Sequence, residues 1–167
     1  MTVLIRKAIK KDIEEIYNCF LDMAKSEDTS TKKIDRAFML LRQRRKDFVT
    51  SSKKELLREI RERNSLYLVA EENKCVVGYA YGTIKKQKSP FFVTKTIGYF
   101  NALVVRNRYR GKGIASKLRN ELENWFKIKK CKLIYLEVVE QNNAKEIYKK
   151  WGYKNSNLVM VKRGGGN

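Results

Sequence analysis

The order of apolar and polar positions assigns most of this chain to elements before any single residue type matters. "TVLIRKA" (2–8) has the apolar, β-branched character of a short strand. In "DIEEIYNCFLDMAK", Asp12 stands as an N-cap, and Ile13, Ile16, Tyr17, Phe20 and Leu21 recur at helical spacing. "SEDTSTKK" (26–33) predicts a polar loop. Residues 34–63 predict further helix, dense in Lys and Arg. A break is expected at 50–52, because Ser52 and Glu55 form a capping-box pattern ahead of Leu56, Leu57 and Ile60. Strand-like runs at 66–71 and 75–84 then flank "EENK" as a hairpin, and "QKSPFFVTK" (87–95), with the single proline, predicts an exposed loop. "TIGYFNALVV" (96–105) is apolar enough for a central strand. The long helix that follows, 113–130, places Ile114, Leu118, Leu122, Trp125 and Phe126 on one face. A strand at 132–139, a short helix at 143–151 and a last strand at 155–163 complete the series. The order of elements predicts an α/β chain: a mixed, mostly antiparallel sheet with helices on both faces. One domain is expected over 1–163, with 164–167 as a flexible tail.

Composition narrows the chemistry. Of 167 residues, 43% are hydrophobic and 34% charged, which is the balance of a globular chain. No apolar run reaches the length that spans a bilayer, so no membrane partner is expected. Cys19, Cys75 and Cys131 are odd in number and far apart, which fits a reduced, cytoplasmic protein better than a disulfide framework. There is no histidine, so catalytic triads built on imidazole are excluded, and no cysteine cluster offers a zinc site. The net charge of +20 favours anionic partners, whether nucleic acid, acidic protein or a phosphorylated cofactor, and works against small polycations. A basic surface with no particular partner accounts for the same number equally well.

The segment "RNRYRGKGIA" (106–115) lies between the central strand and the long helix. Backbone N–H groups at such a helix start bind phosphate, and Gly111 and Gly113 permit close approach. The spacing is neither the dinucleotide G-x-G-x-x-G nor the P-loop pattern, and an isolated G-x-G is a weak signal. In context, "LVVRNRYRGKGIASKL" resembles the acyl-CoA-binding motif of the GNAT superfamily of N-acetyltransferases, as Arg108-x-x-Gly111-x-Gly113. "YLEVVEQNNAKEIYKKWGYK" resembles the second half of that family's site: a strand, an asparagine loop, a helix with a tyrosine, then Gly-Tyr. Some likeness to ribosomal-protein N-terminal acetyltransferases is present as well.

The resemblance implies acetyl-CoA as acetyl donor. It assigns the pantetheine arm to the backbone of Leu103, Val104 and Val105. The pyrophosphate goes to the amides from Arg108 through Tyr109, Arg110, Gly111, Lys112 and Gly113 to Ile114 and Ala115. Asn142 or Asn143 takes the place of the family's loop asparagine. Tyr148 takes the place of the tyrosine that protonates the leaving sulfur, against the plain alternative of an aromatic packing its helix to the sheet. The relatives' base on the motif strand is missing from "GYFNALVV". Glu137 occupies the position of a base used by the ribosomal-protein enzymes, where a strand carboxylate held in apolar surroundings has a raised pKa. A solvent-facing charge, with water as base, is the competing account.

The implied activity is direct acetyl transfer to a primary amine, expected on a protein or peptide, by a monomer or homodimer. Two other classes fit parts of the pattern. One is a basic nucleic-acid-associated binding protein using 32–63 and the arginine loop. The other is an acyl-CoA-binding GNAT domain without catalysis.

Overall fold

Strand pairing organises the larger of two compact units in the computed structural model, which describes residues 3–162 and 164. That unit comprises 1–23 and 47–137, and the other comprises 24–46 and 138–167. In the larger unit β1 (Leu4–Lys7), β2 (Ser65–Glu72), β3 (Cys75–Gln87), β4 (Lys95–Val105) and β5 (Leu133–Tyr135) form one sheet in chain order. The pairs β1–β2, β2–β3 and β3–β4 are antiparallel, and β4–β5 is parallel. This is the expected mixed, mostly antiparallel sheet.

The β2–β3 hairpin turns at Asn73 and Lys74, both with positive φ, as a two-residue turn matched to strand twist requires. One sheet face buries Tyr67, Val69, Val76, Tyr79, Tyr81 and Val104. Ile16, Tyr17 and Cys19 of α1 (Ile13–Ile34) and Leu56 of α2 (Phe48–Arg61) cover it. α3 (Ile114–Ile128) covers the opposite face so closely that glycines are required. A Cβ on Gly98 would lie 2.6 Å from Phe126, and one on Gly82 equally close to the same ring. Ile114, Leu118, Leu122 and Phe126 are the buried residues of α3, so the four-residue spacing in the sequence marks the packed face. Helices therefore lie on both faces of this sheet.

Several boundaries differ from expectation, each for a local reason. The stretch 26–33 is not a loop: α1 runs through it to Ile34. Thr29 and Ser30 turn their hydroxyls back onto the Lys25 and Ser26 carbonyls, which removes their competition with the helix. The helical break falls after a 3-10 segment at Arg36–Arg42 and not at 50–52. Ser52 lies inside α2, whose N-cap is Asp47, and Glu55 pairs with Arg58 instead of closing a capping box. β3 and β4 take only the first and last residues, Gln87 and Lys95, of the expected 87–95 loop. β5 ends at Tyr135, four residues short of the expected end. Residues 155–162 carry no strand; they have no partner in the sheet, and apolar residues at 158–161 stay exposed. Arg163 and the tail residues 165–167 lie outside the described residues.

In the smaller unit, Arg42 bonds Glu27 and Asp28 at 2.8 and 2.6 Å, and Arg44 bonds Asp28 at 2.7 Å. These pairs tie the 3-10 segment to the second half of α1. The unit also holds α4 (Ala144–Lys150). Among the described residues no helix is long and apolar enough to cross a membrane.

One ion-pair network fastens β1 to the sheet and to α1. Arg6 bonds Asp12 through both terminal nitrogens, at 2.7 and 2.9 Å, and Glu71 at 2.8 Å through Nε. Asp12 also accepts from the Ile9 amide at 2.8 Å. Burial alone would raise the Asp12 pKa, but the Arg6 and Ile9 bonds outweigh it and hold the carboxyl below its ordinary value. A carboxylate with a depressed pKa adds stability above its unfolded pKa, about 3.9, and loses it as pH falls through the folded value. Asp12→Asn should therefore lower stability by about 1–2 kcal/mol at pH 7. It should also flatten the loss as pH falls below about 4, as urea midpoints measured across the acid range would record.

Candidate functional site

An extra residue in β4 sets the geometry. Tyr81 pairs with Ala102, but the next residue, Gly82, pairs with Phe100, so Asn101 is the bulged residue. The bulge lets Phe100 and Ala102 lie on opposite faces although two positions apart. Asn101 donates its carboxamide N–H to the Thr83 hydroxyl at 3.0 Å, a pairing at the bulge.

Beyond the bulge, no strand among the described residues pairs with one side of β4. β5 pairs only with Ile97, Gly98 and Tyr99. The direction of the remaining backbone groups follows from one bond: the Arg106 amide donates to the Val77 carbonyl at 2.9 Å. With Val105 opposite Gly78, that makes Arg106–Val77 a hydrogen-bonded pair, and antiparallel alternation repeats it at Val104–Tyr79 and Ala102–Tyr81. Leu103 and Val105 therefore turn their N–H and C=O groups away from β3, toward the open edge. The Val105 carbonyl accepts there from Arg110 Nε at 2.9 Å. Val104 is buried, and Leu103 is half-buried.

The open edge leads into the arginine loop. A 3-10 turn at Asn107–Tyr109 uses the amides of Tyr109 and Arg110 internally. Gly111 and Gly113 then take φ of 76° and 75°, the left-handed region where an added Cβ is strained, and the space beside each is open. Gly113 is the N-cap of α3 and carries no side-chain cap. Among the described residues none accepts from the amides of Gly111, Lys112, Gly113, Ile114, Ala115 or Ser116. These donors stand at the positive end of the α3 dipole, which is an anion site. Arg108 and Lys112 both lie over the Tyr109 ring, at 4.9 and 5.4 Å. That stacking gathers two cations at the rim of the loop.

The smaller unit holds three residues expected at the site. Asn142 accepts from the Ala144 amide at 3.0 Å, so its carboxamide oxygen closes the turn into α4. Asn143 is exposed and makes no cap bond. Tyr148 meets Trp151 and Tyr153 edge to face, at 5.8 and 6.0 Å between ring centroids. Burial raises its pKa, with Glu27 adding to the effect, so the phenol stays protonated well above neutral pH.

Of the two accounts of Glu137, its placement matches the solvent-facing one. It is exposed and lies two residues beyond β5, not inside an apolar strand, so the desolvation argument does not apply to it. Burial pushes the Cys131 thiol up, the opposite of an activated nucleophile, in line with a structural role.

One carboxylate went unnoticed in the sequence. Glu59, near the end of α2, accepts from the Tyr67 hydroxyl at 2.8 Å, and the Tyr81 hydroxyl is near enough to favour its charged form. Tyr67 and Tyr81 are cross-strand partners stacked at 4.0 Å, and Tyr81 is followed across the sheet by Ala102 at the bulge. Burial raises the Glu59 pKa, outweighing the Tyr67 bond and the nearby Tyr81 hydroxyl, which lower it. In the sequence it reads as one more charge on an amphipathic helix. Only its position three residues after Leu56 hinted that it turns toward the sheet.

The profile of the Acetyltransferase (GNAT) family matches residues 36–153. The chain belongs to that family. Solved structures share the fold. The tetramutant of the BH1408 protein from Bacillus halodurans superposes with a TM-score of 0.82 at 19% identity, covering 96% of this chain and 99% of that one. The aminoglycoside N-acetyltransferase AAC(6')-Iy in complex with CoA gives 0.67 at 14% identity, over 98% and 100%. Glucosamine-6-phosphate N-acetyltransferase from Arabidopsis thaliana gives 0.67 at 20%, over 98% and 99%. Enzymes of the family take their acetyl group from acetyl-CoA, and the residues of this GNAT chain fit that group: unclaimed amides, open space at both left-handed glycines and a cationic rim.

Gly113→Ala should cost CoA about tenfold in affinity, roughly one charge-assisted hydrogen bond, while the pantetheine fragment, which lacks the pyrophosphate, binds as before. Calorimetry with both compounds reads the difference.

Proposed function

We propose that the protein transfers an acetyl group from acetyl-CoA directly to a primary amine of a protein or peptide, within a single catalytic domain. The observation that supports this best is the continuity of the open β4 edge at Leu103 and Val105 with the unclaimed amides of 111–116. Bound acetyl-CoA supplies the activated acetyl thioester. Leu103 and Val105 orient the pantetheine arm by backbone bonds, and the 111–116 amides hold the pyrophosphate. The second half of the site enters through its motif. Tyr148, kept protonated by burial, gives its hydroxyl proton to the leaving sulfur. Asn143, with its carboxamide uncommitted, takes the loop-asparagine role ahead of Asn142.

Two carboxylates can receive the proton that the acceptor ammonium sheds to become the neutral, attacking amine. Glu137 has the family position. Glu59 has the chemistry: a raised pKa and a tyrosine bridge toward the bulge, which suits a base working near neutrality.

The missing β4 glutamate supports a second reading, an acyl-CoA-binding domain without turnover. A nucleic-acid-associated protein is the third, and it predicts steep salt dependence of duplex binding. Calorimetric titration of acetyl-CoA, CoA and a short DNA duplex separates these classes. Duplex binding without cofactor binding would sink the first two.

Thiol release with a panel of peptides and small amines then measures turnover. Tyr148→Phe should lower kcat about 10²–10⁴-fold with little change in CoA affinity; an unchanged kcat removes Tyr148 from the mechanism. For the base, the acidic limb of the kcat/KM profile decides. Glu59→Gln should abolish that limb if Glu59 takes the proton, Glu137→Gln if Glu137 does, and neither if water does.

A further inference from the structure

The β3–β4 hairpin ends in a tip that the acetyltransferase reading leaves without a role. Phe91, Phe92 and Val93 are 86%, 77% and 82% exposed, three successive apolar side chains in water. The tip is held in shape: the Ser89 hydroxyl accepts from the Phe91 and Phe92 amides at 3.1 and 3.2 Å. That turn fixes the backbone carrying the two rings.

A collar of cations surrounds it. The last pairs of the hairpin are Lys85–Ile97, Lys86–Thr96 and Gln87–Lys95, and Lys88 follows directly. Lys85, Lys86, Lys88 and Lys95 are all exposed, with Lys85 also lying over the Tyr99 ring at 5.0 Å. No acidic residue occurs between Glu72 and Glu121, so neither strand of the hairpin offers these lysines a carboxylate.

The chemistry of the tip selects its occupant. A second copy of the chain would bring two lysine collars together, at a like-charge cost. Nucleic acid would satisfy the lysines and leave the valine and the ring edges unused. An anionic bilayer satisfies both parts, since aromatic rings enter the acyl boundary while lysine ammoniums stay at headgroup level. Such contact is peripheral and needs no spanning helix. We propose that this hairpin tip docks the protein on an anionic lipid surface, with Phe91, Phe92 and Val93 inserted and the four lysines facing the headgroups.

The test is co-sedimentation of the full chain with vesicles of phosphatidylcholine, alone or with about one-third phosphatidylserine, at moderate salt. Wild type should bind the anionic vesicles and not the neutral ones. F91A/F92A should lower that binding at least about tenfold with CoA affinity unchanged, and K85Q/K86Q/K88Q/K95Q should lower it comparably. K7Q/K10Q/K11Q/K74Q removes the same number of charges at and just after β1 and at the β2–β3 turn, the opposite end of β3 from the tip, and should leave it within about twofold. Three results overturn the proposal. One is no binding to anionic vesicles. Another is F91A/F92A binding as wild type, which makes the attraction charge alone. The third is a dimer in light scattering that F91A/F92A converts to monomer, which assigns the tip to a second copy.

Discussion

The single extra residue at Asn101 is the constraint on which the candidate site depends. A regular β4 would keep one register along β3 and the same face for every second side chain. With the bulge, Gly98 and Phe100 stay on the α3 side while Ala102 and Val104 turn to the α1–α2 side. The strand thereby satisfies two packed layers in succession. β5 stays paired only before the bulge. An open stretch of strand edge is ordinarily a hazard, because it offers unpaired amides to any other chain. Here it runs straight into a helix N-terminus whose amides are also unclaimed, and a ligand with an amide-bearing arm and a pyrophosphate answers both needs.

The arginines of 106–110 divide their work more unevenly than their clustering suggests. Arg106 donates to the buried Cys19 sulfur at 3.4 Å, and Arg110 to the Val105 carbonyl. Both therefore build the loop from within. Arg108 is left with Lys112 on the Tyr109 face. Of four arginine and lysine side chains that look alike in sequence, two are committed to structure and two remain to attract an anion. The backbone provides directed donors, and the charge provides long-range attraction.

The fold was legible where periodicity and burial coincide. The apolar runs of β2, β3 and β4 and the Ile114–Phe126 stripe each correspond to a packed face. Sequence failed where polar residues are satisfied by partners far along the chain. Residues 26–33 look like a loop until Arg42 and Arg44 neutralise Glu27 and Asp28. Ser52 looks like a cap until Asp47 takes that place. The motif around Gly111 and Gly113 was readable because the required conformation is local. Glu59 was not, because what sets it apart is a pair of tyrosines on two other strands.

The same distinction bears on the net charge of +20. Summed over the chain it suggests a uniform basic coat, yet the basic residues act in separate settings. Arg6 and Arg42 are spent on carboxylates within the fold. The loop cations flank unclaimed amides at the start of α3. The hairpin lysines flank exposed aromatic rings, a combination that phosphate alone does not explain. Charge becomes informative once each cation is considered with its neighbours: a carboxylate marks structure, a free amide a phosphate site, and an exposed phenyl ring a surface with an apolar interior.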